Sequence, residues 1–309
     1  MKIIYMGTPD FAVPCLERLI KDGHDVCLVV TQPDKSQGRK MILTPPAVKV
    51  LAQKYGAEVY QPATLKSDDA FEKLNSYNPD YIVVAAYGKI LPKRVLDIPK
   101  YACINVHGSL LPMYRGAAPI QRAVIDGQKT TGITTMLMGE GLDTGDMLLK
   151  YETAIGENET AGELFDRLAF SAPDLLIKTL DDFAEGKITP EKQDDTKATY
   201  ASMLSKDEAV IDWNASSYVV HNKIRGMSPW PVAFTYHDGK KLKIYQSEKT
   251  DKSSSAIPGT VSADKSLLYV TCGDGKLLKI LSLQSEGSKR LETKQFLAGH
   301  RDIDGNIFK

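Results

Sequence analysis

Four short runs, Lys2–Met6, Asp25–Val30, Asp80–Ala86 and Cys103–His107, are apolar along most of their length and have no wholly polar face. A strand of that kind has to be covered on both sides, which places it inside a parallel sheet. The stretches between have helical spacing. Asp10–Lys21 puts Phe11, Val13, Leu16, Leu19 and Ile20 on one side, and Ala47–Tyr55 reads as a second helix. Such alternation predicts a doubly wound α/β domain with helices on both faces of a mostly parallel sheet. Thr131–Met138 and Met147–Thr153 read as two further strands flanking a glycine-rich loop. Thr160 and Glu163 form a capping-box start for a long amphipathic helix to about Ala184, in which Pro173 is expected to introduce a kink.

With 309 residues the chain exceeds what one hydrophobic core usually holds, so a second domain is expected. From Gly186 the sequence turns polar, carries a proline and has no sustained period, which marks a linker. The expected division is 1–189, a linker at 190–206, and 207–309. After a helix at Ser216–Arg225, the runs VAFTY, KLKIYQ, GTVSA, LLYVTC and LLKILSL alternate between turn signals at Asp238-Gly239 and Gly273-Asp274-Gly275. Short strands of this kind close most simply into a small OB-like β-barrel, while the first domain is Rossmann-like. Trp213 and Trp230 read as core anchors of the second domain, and His221 as packed or solvated.

Several classes of function fall away. Net charge is zero, which argues against a protein that coats nucleic acid. Residues 207–309 hold 15 Lys/Arg against 12 Asp/Glu, about +3, and residues 1–189 hold 21 against 24, about −3. A solvated surface and an RNA-facing one explain so small an imbalance equally well. The start, MKIIYMGTPDFA, lacks a signal-peptide cleavage site, and no run approaches the roughly 20 apolar residues of a membrane span. Cys15, Cys27, Cys103 and Cys272 are scattered, which suggests neither disulfides nor a metal site and fits a reducing cytoplasm. The turn after the first strand, GTPD, lacks the glycines of a dinucleotide fingerprint, and no P-loop occurs.

The segment ACINVHGSLLPMYRGAAPIQ is the informative one. Cys103, Asn105 and His107 share one face of a strand. An Asn and a His at its carboxyl end, where open α/β sheets bind ligands, are out of place as core. A hydrogen-bonded core His with a capping Asn is the bland alternative, and the following Gly108 with the turn Ser109, Leu110, Leu111, Pro112 weighs against it, because backbone there can line a cleft edge.

N-V-H-G-S-L-L-P, followed by R-G-A-A-P-I-Q and later by G-L-D-T-G-D-M, resembles the folate-dependent formyltransferases. GTPDFA, the TQPD loop, VVAAYG-ILP, LSK-EA-IDW at 204–213 and R-G-x-x-P-W-P at 225–231 extend the resemblance over nearly the whole chain. It implies transfer of the formyl group of 10-formyltetrahydrofolate to the amine of charged initiator methionyl-tRNA, with no metal, no membrane and no stable protein partner. The last two segments favour a tRNA acceptor over the purine precursor of one-domain relatives. Asn105, His107 and Asp143 are implied as catalytic, and Ser109, Leu110, Leu111 and Pro112 as part of the folate pocket, with backbone from Val84–Leu91. Arg115 is either a folate-tail or substrate contact or a solvated charge. The loop Thr31–Pro46 is more than twice the usual length of about 2 to 6 residues. In the family it reaches the acceptor end of the tRNA, and Arg39 matches its key basic position. A sugar-nucleotide amine is the rival acceptor, and an RNA-binding protein on the same scaffold is the non-enzymatic rival.

Overall fold

β1 (Lys2–Gly7) is buried from its second residue on, and it takes parallel partners on both sides: β2 (Asp25–Val30) and β4 (Tyr81–Ala85). The computed structural model describes the backbone of residues 1–37 and 41–309 and, Gln37 excepted, their side chains; Arg39 lies outside the described residues. With β3 (Val59–Tyr60), β5 (Ala102–His107), β6 (Thr130–Leu137) and β7 (Met147–Ala154), the sheet order is β7-β6-β5-β4-β1-β2-β3. β1 to β5 pair in parallel, and β6 runs antiparallel to β5, so the sheet is mostly parallel as expected. Ile4, Met6, Leu28, Val30, Ile82, Val84 and Cys103 build the core on one face. Burial pushes the Cys103 thiol up to about 12, so it acts there as a small apolar group.

Helices Val13–Lys21 and Ala47–Lys54 form where the apolar spacing placed them. Asp68–Asn75 escapes a periodicity search because it buries only Ala70 and Leu74; the Ser67 hydroxyl accepts from the Ala70 N–H at its start. The Thr160 capping box is in place: the Thr160 N–H donates to Glu163 Oε2 at 2.8 Å, and the Glu163 N–H to Thr160 Oγ1 at 3.2 Å. The helix behind it, Ala161–Ala184, continues through Pro173. Within the long loop, Lys35–Gln37 pairs antiparallel with Ile42–Thr44.

The chain packs as two units, Met1–Ala117 with Gly132–Thr153 and Phe165–Ala201, and Ala118–Thr131 with Ala154–Leu164 and Ser202–Lys309. In the second, a curled antiparallel sheet runs β8 (Phe234–His237), β9 (Lys240–Ser253), β12 (Lys276–Ser285), β11 (Leu268–Thr271), β10 (Val261–Ala263). Its edge strands are bridged by the last residues: Lys309 exchanges backbone hydrogen bonds with Tyr236, and Asn306 O accepts from Val261 N–H. Trp213, Ile224, Ile244 and Phe296 fill the interior, with Ile125 from helix Pro119–Ile125 packed against it.

Two expectations need correction. Trp213 is core, but Trp230 is 54% exposed. The turn after helix Ser217–Gly226 sends Met227, Val232 and Ala233 inward, which leaves Trp230 outside. The polar stretch beyond Gly186 is also more than a tether. Glu191 bridges to Met147, residues 195–197 form a 3-10 turn, and Tyr200–Ala201 pairs in parallel with Arg115–Gly116. His221 is fully buried, as a packed histidine should be.

Candidate active site

β5 carries Asn105 and His107 to the carboxyl edge of the sheet, beside Val84 of β4 on one side and Thr134 and Met136 of β6 on the other. Both polar side chains are buried, at 8% and 5% exposure, in a strand whose other residues are apolar. Burial of that kind requires partners. For both residues one of them is Asp143, from the glycine-rich loop between β6 and β7. Asn105 Nδ2 lies 3.3 Å from Asp143 Oδ1, and His107 Nδ1 lies 3.6 Å from Asp143 Oδ2. The three residues that the sequence singled out as catalytic therefore meet, although 38 positions separate Asn105 from Asp143.

The other ring nitrogen settles the tautomer. His107 Nε2 is 2.9 Å from the Tyr114 carbonyl oxygen, which only accepts, so Nε2 carries the hydrogen. Nδ1 is then the nitrogen left to exchange a proton, and it faces the Asp143 carboxylate. Asp143 takes a left-handed backbone, φ +51°, and its Oδ2 accepts the Gly116 N–H at 2.8 Å. Gly116 itself has φ +121°, and a Cβ there would stand 2.7 Å from the Ala201 carbonyl oxygen. Only glycine meets both demands.

The turn after β5 is built inward. Ser109 is fully buried, and its hydroxyl donates to the Met113 carbonyl at 2.6 Å. Thr134 Oγ1 donates to the Ser109 carbonyl at 2.7 Å and accepts from the Leu111 N–H at 3.1 Å. Leu111 packs with Met136 and Met147, and the Leu111–Pro112 peptide is cis. Of the four residues, Leu110 and Pro112 retain partial exposure. The fully buried side chain of Ser109 and the nearly buried one of Leu111 are spent on holding the turn.

Arg115 is not the solvated charge of one of its two sequence readings. It is 2% exposed, and its Nε and Nη2 donate to Gln193 Oε1 at 3.0 and 2.8 Å. Sequence reasoning missed Gln193, which sits in a polar run with no period and whose partners are 48 to 78 residues away. Among the described residues no group of three or more His, Cys, Asp or Glu is placed to hold a metal ion.

Comparison with known proteins agrees with this architecture. The family model described as Formyl transferase matches residues 1–180, and that described as Formyl transferase, C-terminal domain, matches residues 203–301. A methionyl-tRNA formyltransferase of Caldanaerobacter subterraneus subsp. tengcongensis is 50% identical over 310 residues, covering 100% of both chains. One from Clostridium novyi is 49% identical, covering 97% of each. Among solved structures, an N-formyltransferase from Helicobacter canadensis in complex with folinic acid and dTDP-3-aminofucose shares the fold, with a TM-score of 0.72 at 19% identity over 92% of this chain and 99% of that one. HypX from Aquifex aeolicus in complex with tetrahydrofolic acid does so with a TM-score of 0.63 at 16% identity, over 98% of this chain and 48% of that one. Matched by family models in both halves and by relatives half-identical along their length, the chain belongs to the formyl transferase family.

Proposed function

We propose that this chain transfers the formyl group of 10-formyltetrahydrofolate to the free amino group of charged initiator methionyl-tRNA in the cytoplasm. The convergence of Asn105, His107 and Asp143 at the carboxyl edge of the sheet carries the reading, and the full-length relatives named for that reaction support the choice of acceptor.

The roles follow from the reaction. Attack of an amine on a formyl carbon gives a tetrahedral adduct with an oxyanion and a charged nitrogen, so the site needs a donor for the oxygen and an acceptor for a proton. Asn105 Nδ2 carries two hydrogens; one points to Asp143 and the other is the oxyanion donor, which does not titrate. His107 Nδ1 takes the proton that leaves the amine, with the Asp143 carboxylate stabilising the imidazolium so formed. As the adduct collapses, the bond between the formyl carbon and the folate N10 breaks, and the imidazolium returns that proton to N10, so that tetrahydrofolate leaves. Nε2, held by the Tyr114 carbonyl, keeps the ring aimed throughout. The aminoacyl ester withdraws electrons from the amine and leaves more of it unprotonated. The Ser109–Pro112 turn presents backbone, Leu110 and Pro112 to the folate, and Arg39 meets the acceptor end of the tRNA.

The direct test is transfer of labelled formyl from 10-formyltetrahydrofolate to charged initiator tRNA, with charged elongator tRNA and a sugar-nucleotide amine as controls. Preference for the initiator is expected. Faster transfer to the sugar amine would overturn the reading.

A further inference from the structure

Between Asp181 and Tyr200 one side chain, Gln193, is buried, in a stretch otherwise exposed or half-exposed. An amide buried in such a segment has to be held by something specific, and its four hydrogen bonds say what it is for. Oε1 accepts two bonds from the buried Arg115 guanidinium, at 3.0 and 2.8 Å. Nε2 donates to the carbonyl of Asp143 at 2.8 Å and to that of Gly145 at 2.7 Å. Arginine has no acceptor, so the orientation of the amide is forced: oxygen toward Arg115, nitrogen toward the loop. Every donor and lone pair of the group is used. Arg115 also reaches Asp195 at 2.7 Å, but that carboxylate is 78% exposed and adds little.

The two carbonyls belong to the loop that carries the Asp143 carboxylate. Asp143 has a positive φ, a conformation uncommon among residues other than glycine. Gly145, next but one, sits so close to the Leu137 carbonyl that a Cβ there would collide with it. Gln193 straddles this bend and grips it on both sides of Thr144. Segment 191–201 is itself moored to the same part of the unit, through Glu191 on Met147 and through Arg115 N–H on the Thr199 carbonyl at 2.9 Å.

We propose that Gln193, oriented by Arg115, is the positioning residue that sets the Asp143 carboxylate against His107 Nδ1. The polar stretch after the long helix thus completes the active site. This rests on the reading of Asp143 given above, and the test separates the two.

Gln193→Glu is the informative variant, since it keeps the Arg115 contact and turns two attractive contacts to carbonyl oxygens into repulsive ones. Single-turnover formyl transfer at saturating substrates would be measured for the wild type, Gln193→Glu, Asp143→Asn and the double variant, with thermal unfolding as the check on folding. Gln193→Glu is expected to slow transfer about ten- to a hundredfold, as a displaced catalytic group does, and to lose most of that penalty in the Asp143→Asn background. A Gln193→Glu penalty of equal size in both backgrounds, or a rate near wild type, overturns the positioning role. A near-wild-type rate for Asp143→Asn alone overturns the underlying reading instead. Should Gln193→Glu fold poorly, Gln193→Met, similar in length and without donors, goes through the same cycle, and the same outcomes support or overturn the positioning role.

Discussion

Asn105 and His107 stand where a strand buried on both faces would otherwise place valine or leucine, and their partners account for the exception: each faces Asp143, and His107 also holds the Tyr114 carbonyl. Because Asn105 donates and does not titrate, Asn105→Ala should lower the single-turnover rate by about a hundredfold or more, the scale of a lost oxyanion donor. His107→Ala should do the same by removing the proton acceptor. Both side chains are compact and lie at a strand end, so circular dichroism and folate binding should stay close to wild type. A variant that is folded, binds folate and transfers at the wild-type rate would remove its residue from the proposed mechanism.

The segment 190–201 changes what a truncation should do. A chain ending at Gly186 retains Asn105, His107 and Asp143, and on that basis alone it would be expected to bind folate and transfer formyl slowly. It loses Gln193, Thr199 and the strand Tyr200–Ala201, and with them the hold on the Asp143 loop and on Arg115–Gly116. Helix Pro119–Ile125 also loses the core against which Ile125 packs. Transfer by the soluble fraction should therefore fall by about a hundredfold or more, even to a minimal amine acceptor. Extending the chain to Ala201 should recover part of that loss, measured as the rate per folded molecule.

An acid response and a salt response both belong to the second of the two units. In the second, His221 Nε2 donates to the Glu157 carbonyl at 3.0 Å, so Nδ1 accepts from the Ser247 hydroxyl at 2.9 Å, and the neutral ring is fully satisfied. Burial holds this imidazole below its ordinary value near 6.5. Above about pH 6.5 folded and unfolded states are both neutral there; below it the unfolded chain binds a proton first, so stability falls as the solution is acidified. Between about pH 6.5 and 5, the denaturation free energy of His221→Gln should decline less steeply than that of the wild type, whatever their absolute difference; parallel slopes would exclude His221 as the source. If residues 207–309 hold the tRNA through its phosphates, their net charge of only about +3 predicts a moderate salt dependence of KM, with less effect on the chemical step. Arg39→Ala should raise KM for charged tRNA far more than it weakens folate binding; equal losses in both would assign Arg39 a structural role.

What could be read from the chain in advance is what local rules carry. The mostly apolar runs had to be buried strands, the 3.6-residue spacing had to give helices such as Val13–Lys21, and Thr160 with Glu163 had to start one. The polar pair Asn105 and His107 was legible because it violates the pattern of its own strand. The role of Arg115, the grip of Gln193 and the exposure of Trp230 left no such mark. An amide in a polar run looks the same whether water or a buried guanidinium receives it, and a tryptophan beside prolines looks the same inside or out. The difference lies in which distant segments meet. Residues 118–131 and 154–164 likewise pack with 202–309, a grouping that spacing along the chain does not encode, because long-range packing is chosen by the shape and polarity of surfaces that exist only once the sheet has formed.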